Sequence, residues 1–207
     1  MANSELFPRD ARRYAAATQR NRDAILAQLA RVLPSSGTVL EIASGTGEHA
    51  TYFSPRLPGL LWQPSEPDAE LRLSIAAWTA ELLTLNVLPP LDLDVERWPW
   101  PILHAEAMVN INMIHIVRWS ATRALLRGAA AVLPPGGVLY MYGPFQRNHS
   151  HISESNLDFD EGLRRMNPAW GVRDLDDVTK VAADEGLVRS EVVAMPNNNF
   201  SLIFTRP

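Results

Sequence analysis

The amino-acid sequence predicts an α/β fold, a three-layer sandwich in which helices cover both faces of a mostly parallel sheet. Short apolar runs alternate with helical patterns five times, which is typical of parallel strands joined by right-handed crossovers. A loop with two glycines follows the first apolar run, where such folds bind nucleotide-like ligands. Two β-prone runs joined by a tight turn end the chain, and they predict a closing antiparallel pair.

The first half of the chain is predicted to hold three helices and three strands. A helix is predicted over residues 9–33, which carry apolar residues at helical spacing, and Pro34 ends it. The polar residues 18–23 are a candidate break in this helix. Strands are predicted over residues 38–43, 60–64 and 91–95, each a short β-prone run. Helices are predicted over residues 48–53 and 69–83, and Asp68 is the expected N-cap of the second.

The second half continues the alternation and ends in the strand pair. Strands are predicted over residues 107–112 and 138–142, and helices over residues 119–133, 157–166 and 175–185. Two further strands, residues 187–195 and 200–204, are joined by the turn 196–199. The prediction is therefore a Rossmann-like sheet of seven strands in a single domain, residues 1–207. In that domain residues 1–34 form a helical cap, and the polar residues 146–174 form a mobile lid.

Composition restricts the partners and the chemistry of the chain. A length of 207 residues, 46% apolar and 20% charged, suits one ordinary hydrophobic core. The net charge of −4 argues against nucleic-acid binding through phosphates. The chain has no cysteine, which excludes disulfides, a cysteine nucleophile and cysteine-ligated zinc. It shows no signal peptide and no apolar run near the ~20 residues that cross a bilayer, so we expect a cytoplasmic monomer or homodimer away from membranes.

The loop after the first predicted strand carries the strongest functional signal. Gly45 and Gly47 let the backbone turn sharply and approach a ligand closely, and the following helix offers free N–H groups. The spacing Gly45-x-Gly47-x-x-Ala50 also fits the loose dinucleotide fingerprint, and a glycine turn without a ligand is a third interpretation. The choice depends on Glu41, an acid inside the preceding strand, and on the ends of the other strands.

The pattern Glu41-x-x-x-Gly45-x-Gly47 resembles motif I of class I S-adenosylmethionine-dependent methyltransferases. The terminal strand pair also resembles their seven-stranded sheet, in which the last strand inserts antiparallel. The resemblance implies S-adenosylmethionine as the cofactor and S-adenosylhomocysteine as its product, bound at the carboxyl ends of the strands. Expected contacts are a loop shaped by Glu41, Ala43, Gly45 and Gly47, ribose held by Glu66, adenine held by Asp94 and Val95, and the methionine moiety bordered by Asn112. An acid at Glu66 would serve a dinucleotide equally well.

Seven segments together resemble one small family of uncharacterised methyltransferase-like proteins, the DUF938 family, which includes methyltransferase-like protein 26. They are residues 19–26, 39–49, 62–68, 111–116, 142–145, 167–174 and 195–199. The family more often has Asp where this chain has Glu66, a longer acid that still reaches a ribose. The resemblance covers the chain from end to end and implies the methyltransferase fold.

Catalytic candidates follow the strands predicted over residues 107–112 and 138–142. His115 has an unperturbed pKa near ~6.5, so it can take a proton from a hydroxyl or an amine, although a half-buried histidine that starts a helix is the alternative. Tyr142 is expected to face substrate beside it. Further substrate contacts are expected from Arg20, Asn21, Met113, His151 and Asn156. His149 and His151 lack the spacing of a metal motif, so no metal is predicted.

The predicted function is a methyltransferase that acts on a small molecule by in-line methyl transfer. Positioning the acceptor and excluding water account for much of such catalysis, so no triad or metal is required. The chain lacks the Asp/Asn-Pro-Pro-Tyr motif used on exocyclic amines, which favours small hydroxyl, amine, carboxyl or thiol acceptors. Two alternatives remain open. One is a non-catalytic S-adenosylmethionine or S-adenosylhomocysteine-binding module that acts through a protein partner, and the other is an NAD(P)-dependent oxidoreductase.

Overall fold

A computed structural model describes residues 10–80 and 86–207, in which strands and helices alternate along the chain. The helices are α1 (Ala16–Val32), α2 (Glu48–Phe53), α3 (Ala69–Thr79), α4 (Trp119–Val132), α5 (Glu154–Met166) and α6 (Leu175–Asp184). The strands are β1 (Gly37–Ile42), β2 (Leu60–Ser65), β3 (Ala107–Ile111), β4 (Val138–Gly143), β5 (Phe145–Gln146), β6 (Arg173–Asp174), β7 (Val188–Met195) and β8 (Asn199–Thr205). Short 3₁₀ helices occupy Ser54–Arg56 and Met113–His115.

The main sheet has the strand order β2-β1-β3-β4-β8-β7. The pairs β1–β2, β1–β3 and β3–β4 are parallel, while β8 lies antiparallel between β4 and β7. The Rossmann-like, mostly parallel sheet with antiparallel strands at its C-terminal end is therefore confirmed. A separate two-stranded parallel sheet, β5 with β6, was not among the predicted elements.

The prediction of seven strands is wrong, because the main sheet of the described chain has six. The predicted strand over residues 91–95 is reduced to one bridge from Leu91 to Ser65, and a second isolated bridge joins Val87 to Trp62. The segment follows the outer edge of β2 there, with the Leu91 N–H donating to the Pro64 carbonyl at 3.0 Å. Pro89 and Pro90 have no N–H, so a continuous ladder of hydrogen bonds cannot form along this edge.

Helix α1 begins at Ala16, later than the predicted start at residue 9. The residues before it bind distant parts of the chain instead: the Arg13 N–H donates to Ser74 Oγ at 2.8 Å, and the Ala15 N–H donates to the Glu48 carboxylate. The candidate break at residues 18–23 is absent, since Asn21 and its neighbours continue the helix. Long-range hydrogen bonds of this kind leave no local signal in a sequence.

Two other helix boundaries follow from capping. Asp68 caps α3 as predicted, accepting from the N–H groups of Glu70 and Leu71. Helix α3 is described to Thr79, and residues 81–83 of the predicted helix lie outside the described residues. Helix α5 starts at Glu154 rather than at residue 157, because the Ser153 hydroxyl accepts from the Asn156 N–H.

The core divides into two clusters, one on each face of the sheet. One face packs against α1 and α2 through residues that include Ile25, Leu29 and Phe53. The other packs against α4 and α6 through residues that include Leu125 and Val178. These are the three layers of the prediction. No helix in the described part of the chain has the length and apolar character needed to cross a membrane.

Candidate functional site

A crevice opens at the carboxyl ends of β1 and β3. Strand β1 pairs with β2 on one side and with β3 on the other, so the chain reverses its direction of travel across the sheet between them. Ligands of open α/β sheets bind at such a switch point. A cavity of about 560 Å³ lies there, within the size range of ligand pockets. We call it the loop cavity, since residues 43–46 form one wall and residues 111–113 face them.

The loop after β1 is held in a conformation that its glycines permit. Gly45 and Gly47 have φ angles of +56° and +93°, and Ala43 also lies in the left-handed region at +56°. The loop is tied to the end of β2, because the Ser44 N–H donates to the Ser65 carbonyl at 2.9 Å. A side chain at Gly45 would enter the open cavity, whereas one at Gly47 would lie 2.8 Å from the Ile75 Cα.

This difference predicts separable effects for two matched substitutions. Gly45→Ala is expected to cost about 1–2 kcal/mol of unfolding free energy from its left-handed backbone and to block ligand binding in the loop cavity. Gly47→Ala adds a clash with backbone and is expected to cost about 3 kcal/mol or more. Chemical denaturation gives the first quantity, and calorimetry with S-adenosylhomocysteine gives the second. Wild-type affinity in Gly45→Ala would show that the ligand does not approach the loop there.

Glu66 links the loop to the end of β2. Its carboxylate accepts from the Gly45 N–H at 3.0 Å and from the Asp68 N–H at 3.2 Å, and it lines the loop cavity. The residue is only 6% exposed, and this burial raises the pKa of its carboxyl. Asp94 and Val95 line the same cavity. The arrangement offers a ligand a carboxylate whose position is fixed by backbone donors.

Glu41 lies behind the loop, with 2% of its surface exposed, and does not line the loop cavity. Its carboxylate accepts from the Trp62 Nε1–H at 2.9 Å. Burial raises the pKa of Glu41 to about 7. Glu41 therefore supports the loop from behind. Gly47 also has a supporting position, at the start of α2.

A second cavity of about 540 Å³ adjoins the first, and the two share Ala17, Asn112 and Ile116 in their walls. We call it the amide cavity because it is rich in asparagine. Its lining comprises Ala17, Arg20, Asn21, Asn112, His115, Ile116, Tyr142, Pro144, Ser155, Asn156, Phe159, Asn197, Asn198 and Asn199. The structure thus brings five of the predicted catalytic and substrate residues to one cavity: Arg20, Asn21, His115, Tyr142 and Asn156.

Two predicted substrate residues are placed differently. Met113 lines the loop cavity rather than the amide cavity. His151 lines neither; its ring lies 3.1 Å from the Gln146 side chain and 3.4 Å from the Asp160 carboxylate. Both remain predictions as substrate contacts, and His151 is positioned to act on the cavity only through its neighbours.

His115 is 1% exposed, and neither of its ring nitrogens has a hydrogen-bond partner among the described residues. Burial lowers the pKa of His115 to about 3, so the ring is neutral near pH 7. Its backbone is held from outside by the Gly171 N–H, which donates to the His115 carbonyl at 2.9 Å. A side chain at Gly143 would collide with the imidazole, so this strand end has to be glycine. A neutral ring carries one donor and one acceptor, and both nitrogens lie beneath the surface of the amide cavity.

Tyr142 ends a buried chain of hydrogen bonds that sequence reasoning did not identify. The His49 Nε2 and Asn21 Oδ1 atoms lie 2.9 Å apart, and burial lowers the pKa of His49 to about 4. The ring is therefore neutral near pH 7, and Nε2 donates to the amide oxygen. Asn21 in turn hydrogen-bonds Tyr142, whose pKa burial raises above its usual value. Tyr142 thus keeps its proton at neutral pH and acts as a donor. In the sequence, the feature that pointed to His49 was its position two residues after Gly47.

The one cluster of metal-binding type in residues 10–80 and 86–207 is His149, Asp174 and Asp177. Asp174 Oδ1 accepts from the N–H groups of Asp176 and Asp177, and Oδ2 accepts from the His149 N–H at 2.7 Å. These are the bonds of a helix cap and its neighbouring turn. The capping of α6 by Asp174 therefore explains why these three side chains lie together.

Several solved methyltransferase structures share the fold of this chain. An O-methyltransferase family protein from Burkholderia thailandensis matches with a TM-score of 0.75 and 18% identity, over 92% of this chain and 56% of that one. The mitomycin 7-O-methyltransferase MmcR matches with a TM-score of 0.78 and 14% identity, over 93% and 55%. The chain therefore spans about half the length of these two proteins. A Haloferax volcanii putative methyltransferase, solved in complex with the Trm112 activator, matches at 0.73 and 14%, over 92% of both chains.

The family is defined more closely by the sequence itself. Residues 12–206 match the family described as "Protein of unknown function (DUF938)". The chain belongs to this family. Its fold is that of class I methyltransferases.

Proposed function

We propose that this protein is an S-adenosylmethionine-dependent methyltransferase that acts on a small-molecule acceptor. The observation that carries the proposal is the contact between the two cavities, which share Asn112 and Ile116. A cofactor in one and an acceptor in the other would meet across these residues. Enclosure of the acceptor beside the cofactor is the main requirement of methyl transfer, because it supplies proximity and excludes water.

The residues of the loop cavity fit S-adenosylmethionine. Gly45 leaves open space where the cofactor would pass closest to the backbone, and Glu66 presents a carboxylate suited to ribose hydroxyls. Asp94 and Val95 would border the adenine, and Asn112 the methionine moiety. When bound, S-adenosylmethionine supplies a methyl group already activated by a positively charged sulfur.

In the amide cavity, His115 is proposed to receive the proton that a hydroxyl or amine acceptor releases. Its ring is neutral near pH 7 and keeps an acceptor nitrogen; a bound acceptor would have to bring that buried nitrogen to the cavity surface and raise its low pKa for the proton to transfer. Tyr142 is proposed to donate a hydrogen bond that orients the acceptor. Arg20, Asn21 and Asn156 would bind the remainder of the molecule, and residues 146–174 would close over it as a lid.

Other features of the proposal rest on the sequence and on similar proteins. The seven segments that resemble the DUF938 family favour a closer kinship with methyltransferase-like protein 26. The negative net charge favours a small molecule over a nucleic acid, and the lack of cysteine favours the cytoplasm. A monomer or homodimer is proposed. The second candidate is a non-catalytic cofactor-binding module that acts through a protein partner; the similar Haloferax volcanii putative methyltransferase was solved with a protein partner, the Trm112 activator.

Calorimetric titration of the purified protein with S-adenosylmethionine and S-adenosylhomocysteine tests the proposal, with NAD and NADP as controls. We expect micromolar binding of the sulfur compounds, about 8 kcal/mol, and none of the nicotinamide compounds. Binding of NAD or NADP alone would replace the proposal with an oxidoreductase. Cofactor binding without turnover across a broad acceptor screen would favour the non-catalytic module.

A further inference from the structure

We propose that the amide cavity takes an acceptor that carries a carboxylate or a phosphate group, and that Arg20 selects for this anion. The inference rests on the proposed methyltransferase function, because it names the class of molecule that fills the second cavity. Two observations support it: the charge of the cavity wall and the lack of a partner for Arg20 among the described residues.

The wall of the amide cavity is polar without being acidic. None of the described residues that line it carries a carboxylate. Its polar groups are asparagine amides, the hydroxyls of Ser155 and Tyr142, the neutral imidazole of His115 and the guanidinium of Arg20. A wall with one cation and no anion favours a negatively charged ligand over a positive one.

Arg20 has its guanidinium free for that ligand. The residue is exposed on α1, and no hydrogen bond or ion pair joins it to any residue of the described chain. Asp23, the acid one turn further along the helix, accepts a hydrogen bond from Tyr52 instead. Arg31 on the same helix differs, since it pairs with Glu191 at 2.8 Å. A guanidinium without a protein partner presents five donors, in the fork geometry that matches carboxylate and phosphate oxygens.

The outer wall and the inner end of the cavity define the rest of the molecule. The Asn156 amide donates to the Asn198 carbonyl at 2.9 Å, which holds the turn between β7 and β8 against α5. His115 and Tyr142, the proposed catalytic pair, line the same cavity. The acceptor is therefore a small molecule with its anionic group at Arg20 and its nucleophile towards that pair.

Titration of ¹⁵N-labelled protein with inorganic phosphate and with acetate, with and without saturating S-adenosylhomocysteine, tests for the anion site. We expect saturable shifts of the amide signals of residues 20, 21 and 197–199. Arg20→Gln should weaken this binding about tenfold or more. Arg31→Gln makes the same change of charge on the same helix and should leave it unaltered. Equal binding in Arg20→Gln, or shifts confined to other parts of the protein, would overturn the assignment.

Three ring compounds then separate the possible anions. They are 4-hydroxybenzoate, 4-hydroxyphenyl phosphate and the uncharged 4-hydroxybenzamide. Preference for either anion over the amide supports the inference, and the tighter of the two identifies the group. Binding of the amide as tightly as both anions would contradict it. If S-adenosylhomocysteine binds while no anion reaches the cavity, this inference alone fails. If anions bind and S-adenosylhomocysteine does not, the methyltransferase proposal fails.

Discussion

Replacement of His115 by alanine is expected to lower the turnover of methyl transfer about 10²–10⁴-fold, the usual contribution of a positioned proton acceptor. The affinity for S-adenosylhomocysteine should be unchanged, because His115 lines the amide cavity and not the loop cavity. The measurement is single-turnover kinetics with the acceptor that the anion titrations identify, together with calorimetry on the same protein. Loss of both turnover and cofactor affinity would mean that the substitution disturbs the whole site.

His104→Ala is the matched control for this prediction. His104 is exposed and lies beside Glu106, away from both cavities, so its removal should leave turnover unaltered. A loss of less than about tenfold in His115→Ala would assign His115 a packing role, since positioned acid–base groups contribute more than that.

The pH dependence of turnover provides a second check on His115. Burial holds its pKa at about 3, so the fraction of neutral imidazole is constant from pH 5 to pH 8. Glu41, with a pKa of about 7, can also produce a limb in this range, so the informative result is a decrease of turnover towards pH 5 that depends on His115 and has a midpoint of about 6.5, as for a solvated model histidine. Such a limb, if it disappeared in His115→Ala, would contradict the buried environment that the structure gives this residue.

Replacement of Glu66 by alanine is expected to weaken cofactor binding by about 1–3 kcal/mol, or roughly 5- to 150-fold. The substitution would remove the proposed hydrogen bonds to the ribose, and the Gly45 and Asp68 N–H groups would lose their acceptor. The loop would then be free to move where the ligand approaches it. Calorimetric titration with S-adenosylhomocysteine measures the change directly.

Two further variants make the Glu66 experiment specific. Glu66→Asp keeps the charge on a shorter side chain, so it should retain more of the affinity than Glu66→Ala. Glu70→Ala removes an exposed acid from the first turn of α3, where its partner is Arg13, and should have no effect. Unchanged affinity in Glu66→Ala would remove Glu66 from the cofactor site.

Local patterns predicted the elements that local forces form. Asp68 was identified as a helix cap from its position before an apolar helical run, and its carboxylate makes the two expected bonds. The loop at Gly45 and the acid at Glu66 were also found, because a parallel sheet brings strand ends together in a way that chain order alone reveals. The failure at residues 91–95 has a different cause, because β2 ends at Ser65, the partner of Leu91, and the rest of the run lies beyond the end of that strand.

Long-range contacts account for what the sequence did not predict. The late start of α1 depends on Glu48 and Ser74, which are remote in the chain. The hydrogen bonds from His49 through Asn21 towards Tyr142 join α2, α1 and β4, and no spacing within one segment encodes them. His115 was expected to titrate near pH 6.5, and its burial against Gly143 and Phe145 keeps it neutral instead.

The sequence by itself determined the order of strands and helices, the glycine loop and the family to which the chain belongs. These depend on residue propensities, spacing and motif identity, which act over a few positions. Only the tertiary structure decided that the loop cavity and the amide cavity adjoin, that Glu41 supports the loop from behind, and that Arg20 has no partner among residues 10–80 and 86–207. Burial, desolvation and the pairing of charges are properties of the packed chain, because they depend on which distant residues meet.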